Sequence, residues 1–315
     1  MLKSATGQSH AKIIFWGEHS VVYGQPAICF PISEIKTTVV IEQTPTGQHI
    51  QSRYFNGSLT QMPESQTGIQ LLINTILTLL DEEHTPFQMK ISSAIPAERG
   101  MGSSAATAIA IIRAFYHFFQ HPLTHAELLR LADVSEQYIH GNPSGLDAAT
   151  AGSRVPIWFI RGRRPQAIPI NQKAYLIIAD TGIMGQTGLA VQHVKKQLAE
   201  NPQAQPAIEK LGANAKAART LLADGNTPKL GAIMTNSHHL LQTLGVSHPA
   251  LDKLAGLALS HGALGAKLTG GGMGGCLIAL TDTSEKAKKI ASLLEQNGAV
   301  QTWIEPLARM NHKGV

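Results

Sequence analysis

Short apolar or β-branched runs dominate the first part of the chain. Ala11–Trp16, Ala27–Phe30 and Lys36–Glu42 are separated by Gly and Pro, and each predicts a strand. Residues 43–68 are polar and carry Pro45, Gly47, Gly57, Pro63 and Gly68, the composition of a hairpin or a mobile excursion. Over Ile69–Leu80 the Leu and Ile positions recur at helical spacing, and Phe87–Ser93 alternates as a strand. A Gly/Ser segment then leads into a long helix over Ser104–Phe119. Thr124 and Glu127 stand as N-cap and N3 of a capping box, opening a helix to about Ile139 that Gly141-Asn142-Pro143 ends.

Val155–Ile160 and Ala174–Ala179 read as strands, with the charged, proline-bearing stretch Arg161–Ile170 between them. A domain boundary is expected there, dividing the chain into 1–170 and 171–315. The second half is mostly helical: Gly188–Leu198, Ala207–Leu222, Pro228–Thr243 and His248–Ser260. A strand–turn–strand follows over Ala263–Thr269 and Gly275–Leu280. Asp282-Thr283-Ser284-Glu285 caps another helix, and Val300–Ile304 closes as a strand. The tail Pro306–Val315 is expected to fray at its end. Both halves mix strands and helices without strict βαβ alternation, which predicts an α+β fold over a doubly wound sheet.

Composition narrows the function classes. The chain has 315 residues, enough for one large or two ordinary domains, and is 43% hydrophobic, enough to build cores. No apolar run approaches the ~20 residues of a membrane helix, and Met1–Gln8 holds no apolar stretch before a small-residue cleavage site, so neither a membrane partner nor a secretory signal is expected. The two cysteines, Cys29 and Cys276, form no Cys-x-x-Cys, and a reducing, cytoplasmic setting suits them. Lys and Arg number 26 against 21 Asp and Glu, a net +5 that favours anionic partners. That charge is thinly spread, aromatics are 5% of residues, and they do not interleave with basic residues. A nucleic acid is therefore not expected; a small anion in a pocket is.

Four segments can carry chemistry. In Pro96-Ala97-Glu98-Arg99-Gly100-Met101-Gly102-Ser103-Ser104-Ala105-Ala106-Thr107, a strand runs into two glycines, two serines and an Ala/Ile-rich helix. Glycines let backbone approach a ligand, and the amides of a helix's first turn favour an anion such as phosphate. The plainer alternative is that Ser103 caps a helix after a Gly turn. No Gly-Lys-Ser/Thr occurs, which excludes a Walker-type loop. In Lys267–Cys276, five glycines between two apolar strands exceed what a hairpin needs, and permit close approach either to a ligand or to another loop.

In Ala11–Gly24, Lys12, Glu18 and His19 flank an apolar strand and its turn. A buried lysine beside a strand needs a carboxylate or phosphate; otherwise Lys12 is an edge charge and Glu18-His19 a solvated turn. In Glu136–Asp147, Glu136 lies in the last turn of its helix, where a carboxylate meets the negative dipole end and a cation would offset it. Asp147 follows on an ordered turn or new helix start, and a capping aspartate is its plainer role.

Taken in order, Lys-Ile-Ile-Phe-Trp-Gly-Glu-His-Ser-Val-Val-Tyr-Gly, Gly-Met-Gly-Ser-Ser-Ala-Ala, His-Gly-Asn-Pro-Ser-Gly-Leu-Asp and Lys-Leu-Thr-Gly-Gly-Gly-Met-Gly-Gly-Cys resemble the GHMP small-molecule kinases, most of all their mevalonate kinase branch. The resemblance spans residues 11–280. It implies a two-domain α+β fold with the active site in the interdomain cleft, 1–170 being the N-terminal nucleotide-binding domain and 171–315 the C-terminal domain. It also implies transfer of the ATP γ-phosphoryl group to the C5 hydroxyl of mevalonate. Position by position, Asp147 would be the catalytic base and Lys12 its cationic neighbour. Ser104 and Glu136 would hold Mg²⁺, and Gly100, Met101, Gly102, Ser103, Ser104 and Ala105 would wrap the phosphates. Ser93 would make a weaker nucleotide contact, and Glu18, His19 and Thr187 would lie near the acceptor. Glu98-Arg99 departs from the Gly or Ala of many relatives; Arg99 would either reach a phosphate or cap the loop. Phosphorylated mevalonates, with phosphomevalonate kinase or diphosphomevalonate decarboxylase activity, are the nearest rival reading, and a non-catalytic nucleotide sensor is another. A homodimer is left open.

Overall fold

The first strand, β1 (Ser4–Trp16), is longer than its apolar half. Its N-terminal residues alternate exposed and buried, and from Ala11 every position is buried. Alternation marks a strand covered on one face; continuous burial marks one covered on both. The polar Ser, Gln and Thr of the first half hid that strand in the sequence. β2 (Ala27–Gln43) runs unbroken through Pro31, joining two strands expected to be separate. Its start pairs with one partner at Ala27–Cys29 and its end with another at Thr37–Gln43. Pro31 falls between those two ladders, where its missing N–H breaks neither.

The computed structural model describes residues 1–140 and 144–308. The expected Gly141-Asn142-Pro143 helix stop and the chain end beyond residue 308 lie outside the described residues. The chain divides into two units that interleave along the sequence, because β1 and β2 each pass from one to the other.

The first unit comprises 1–12, 32–96 and 102–152. The polar excursion is a hairpin, β3 (Gln48–Gln51) against β4 (Asn56–Ser58). After helix α1 (Thr67–Leu79), β5 (Phe87–Ser93) lies parallel to β3 and antiparallel to β2, giving the order β4-β3-β5-β2, with β1 also on β2. Helix α2 (Ser103–Phe118) is buried nearly all round, as its Ala/Ile/Phe composition dictates for a core helix. Phe115 meets Phe87 of β5 edge-on at 5.1 Å between ring centres. In α3 (His125–His140), the Thr124 hydroxyl accepts from the Glu127 amide at 3.2 Å, as the capping signature predicts. The short α4 (Leu146–Gly152) opens with Gly145 in the left-handed region and carries Asp147 in its first turn.

The second unit comprises 13–31, 97–101 and 153–315. Here β6 (Ile157–Phe159) pairs with the start of β2 and with β7 (Gln166–Ala167). A separate antiparallel sheet runs β11-β8-β10-β9, from β8 (Tyr175–Asp180), β9 (Gly265–Thr269), β10 (Cys276–Thr281) and β11 (Gln301–Pro306). Helices α5 (Thr187–Glu200), α6 (Ala204–Asp224), α7 (Thr227–Thr243), α8 (Pro249–Ser260) and α9 (Ser284–Gln296) belong to the same unit. Ile177, Leu211, Leu254, Leu268, Leu277 and Leu294 are among its core residues, each fully or almost fully buried. Burying side chains of this size contributes roughly 1.5–3 kcal/mol apiece. Among the described residues, no helix is long and apolar enough to cross a membrane.

Candidate active site

In the first unit, Lys12 on the buried half of β1 points its ammonium at α4. Lys12 Nζ lies 2.9 Å from Asp147 Oδ1; the lysine side chain is 3% exposed and the aspartate 38%. The buried lysine has thus found the carboxylate its burial requires, while the carboxylate keeps an open side. Asp147 is held by the start of α4, where Ser144 Oγ accepts from the Leu146 amide at 3.3 Å and the Ala149 amide donates to Gly145 at 3.0 Å. A carboxylate also suits that helix N-terminus.

The glycine that opens α2 packs on the same lysine. Gly102 has φ +72°, and a Cβ there would stand 2.8 Å from Lys12 Cγ. Glycine at 102 therefore serves two ends, a left-handed turn and the passage of the lysine stem. Gly102, not Ser103, is the N-cap of α2, so the amides of its first turn have no side-chain cap. Ser103 is the first helical residue. Ser104 Oγ donates to Glu136 Oε1 at 2.8 Å, bringing together the hydroxyl and the carboxylate singled out in the sequence. Ala105 is buried beneath them. Ser93 is occupied elsewhere in this unit: its hydroxyl pairs with Thr37 Oγ1 at 2.7 Å and accepts from the Ile95 amide at 3.2 Å.

The second unit gathers the other candidates around the glycine-rich loop 270–275. Gly100, at φ +75°, and Gly270 meet backbone to backbone: a Cβ on Gly270 would stand 2.9 Å from the Gly100 Cα. The excess glycines are therefore used, at least here, for the approach of one loop to another. Met101, next to Gly100, is buried. His19 Nε2 donates to the Gly271 carbonyl at 2.9 Å, and a Cβ on Gly271 would stand 2.6 Å from Thr187 Oγ1. Gly271 thus brings together His19 and Thr187, far apart in sequence. Burial pushes the His19 imidazole down to about 4, with its bond to Gly271 opposing and nearby His193 adding to the shift. The ring is neutral near pH 7 and carries its proton on Nε2.

Sequence reasoning left Lys267 without a partner. It lies on β9, fully buried, with its ammonium on the Glu18 carboxylate and on the Leu268 carbonyl at 2.8 Å. Glu18 is likewise fully buried. Burial draws the Lys267 pKa down and Glu18 raises it back. Close by, His238 Nδ1 accepts from the Leu268 amide at 3.3 Å and its Nε2 faces Asp252 at 3.1 Å. A lysine opening a glycine-rich loop and a glutamate in a turn gave no sign of each other in the sequence.

Comparison with known proteins agrees with the motifs. Residues 70–153 match the family described as GHMP kinases N terminal domain, and residues 214–300 match GHMP kinases C terminal. The mevalonate kinase of Thermococcus sibiricus is 31% identical over 313 residues, covering 92% of this chain and 92% of that protein. The crystal structure of L. major mevalonate kinase in complex with R-mevalonate superposes with TM-score 0.81 at 27% identity, covering 96% of this chain and 95% of that one. Mevalonate kinase from methicillin-resistant Staphylococcus aureus gives TM-score 0.74 at 31% identity, covering 97% and 99%. With both domains matched and relatives above 30% identity along nearly its whole length, the chain belongs to the mevalonate kinase family of the GHMP kinases.

Proposed function

We propose that this protein phosphorylates mevalonate, transferring the γ-phosphoryl group of ATP to the C5 hydroxyl. The observation that carries the reading is the buried Lys12 ammonium, 2.9 Å from a partly open Asp147 carboxylate and packed against phosphate-loop Gly102. Phosphoryl transfer has a loose transition state, so the protein's work is to position groups and neutralise charge. Asp147 takes the C5 hydroxyl proton as that oxygen attacks phosphorus and the bond to the ADP oxygen breaks. Lys12 holds Asp147 in place and offsets the charge growing on the attacking oxygen. Gly100, Met101, Gly102, Ser103, Ser104 and Ala105 wrap the phosphates with main-chain N–H groups. Ser93 is a weaker contact on the nucleotide side.

Mg²⁺ fits the pair Ser104–Glu136. That pair is one hydroxyl and one carboxylate 2.8 Å apart, and Mg²⁺ takes few protein oxygens beside water and substrate phosphates. When bound, it would neutralise phosphate charge and add a cation beside a carboxylate in the last turns of its helix. His19 and Thr187 contact the acceptor, and Glu18 serves the same side through the turn it anchors to Lys267. The division into 1–170 and 171–315 belongs to this reading, as do a cytoplasmic setting, suited to two buried cysteines, and small molecules as the partners. A pair of identical copies is compatible with it.

The test is an ADP-release assay with MgATP and mevalonate, phosphomevalonate or diphosphomevalonate in turn. Turnover with mevalonate is expected. Turnover confined to a phosphorylated acceptor moves the protein to the rival activity, and nucleotide binding without turnover makes it a sensor.

A further inference from the structure

Arg99 stands beside the glycines that lead into α2, and its place in the sequence suggests a hand on the nucleotide. Its guanidinium is directed elsewhere. Nε lies 3.0 Å from Asp180 Oδ1, Nη2 donates to the Gly182 carbonyl at 2.9 Å, and Nη1 donates to Ala97 at 3.4 Å. The side chains are 15% and 6% exposed, so the ion pair is largely withdrawn from water and weakly screened by salt. Asp180 ends β8 and also accepts from the Gly182 amide at 2.8 Å.

The same two segments are stitched by main chain. The Gly185 amide donates to the Glu98 carbonyl at 2.7 Å, and Glu98 sits at φ +57°, a conformation costly for a side chain with a Cβ. On its other side the segment after β8 is tied to the glycine-rich loop: the Thr181 hydroxyl donates to Gly275 at 2.7 Å and the Gly275 amide to Ile183 at 2.8 Å. It then enters α5 at Thr187. One stretch of six residues, 181–186, is therefore bonded to loop 97–101 on one side and runs directly into a candidate acceptor residue on the other.

We propose that Arg99 is a positioning residue: through Asp180 it holds loop Ala97–Met101 in register with the segment leading to Thr187, and it is not a ligand of the nucleotide phosphates. This rests on the reading of those two segments as the nucleotide and acceptor sides. Lysine does not replace it, because a single ammonium cannot reach the carboxylate and two carbonyls with fixed geometry.

The test is a double-mutant cycle with Arg99→Met, Asp180→Asn and both together, measuring kcat, KM for ATP, KM for mevalonate, melting temperature and MgADP affinity by calorimetry. Each single variant is expected to lower kcat/KM roughly tenfold with both KM values raised, and the double variant to fall no further than the worse single. Arg99→Lys is expected not to recover the loss. The proposal is overturned if Arg99→Met raises KM for ATP alone while Asp180→Asn keeps wild-type constants, the pattern of a phosphate ligand. It is equally overturned if the two losses multiply, or if only the melting temperature moves. Where a variant fails to fold, Arg99→Lys and Asp180→Glu take its place under the same criterion. If the wild-type chain does not phosphorylate mevalonate, the functional reading falls. MgADP affinities across the cycle then decide the tie: losses that do not multiply keep it, losses that multiply or appear for Arg99→Met alone remove it.

Discussion

The Lys12 ammonium rests 2.9 Å from Asp147, and the stem of that lysine fills the space a side chain at 102 would need. Carboxylate, ammonium and the backbone at 102 are thereby one packed object. Asp147→Asn keeps the shape of the side chain but cannot accept the hydroxyl proton. It is expected to lower kcat by ~10²-fold or more with the circular dichroism spectrum retained. Lys12→Met should depress turnover in the same direction. Near-wild-type ADP release from Asp147→Asn would remove that carboxylate as the base.

Glu136→Gln preserves an oxygen to accept from Ser104 and removes only the charge. The Mg²⁺ concentration for half-maximal activity at saturating ATP is expected to rise roughly tenfold or more. A magnesium titration of the two proteins checks this; superimposable curves would take Glu136 out of the metal site.

The buried pair Glu18–Lys267 predicts an asymmetry in stability. Lys267→Met strips a fully buried carboxylate of its ion partner and is expected to cost about 3–5 kcal/mol in urea unfolding. Glu18→Gln combined with Lys267→Met removes both charges and should recover much of that loss. A double variant less stable than Lys267→Met alone would contradict the pairing.

His19 sets a pH dependence whose sign follows from its burial. Its folded-state pKa, about 4, lies below the ordinary 6.5, so the unfolded chain binds the proton first as pH falls. The stabilisation is complete above 6.5 and is lost progressively between 6.5 and 4, amounting to about 3 kcal/mol. His238, also lowered by burial, acts in the same direction. His19→Gln, which keeps an N–H to offer Gly271, is expected to flatten part of the fall in unfolding midpoint over that range. An unchanged pH profile would show that the imidazole titrates normally.

Most of the secondary structure was legible in the sequence because it depends on local spacing. The Leu/Ile periodicity of α1, the alternation of β5 and the Thr124–Glu127 cap each act within a few residues and stand where expected. The order of the four motifs was likewise enough to recognise the family. Tertiary structure decided the rest. Pro31 reads as a break until the two partners of β2 are known. Glu18, a turn glutamate, becomes a buried anchor only because β9 brings Lys267 to it, and Arg99, suited to a phosphate, is claimed by Asp180. A charged side chain's role depends on which opposite charge reaches it and how much water is excluded around both, and both follow from contacts between residues remote in the chain.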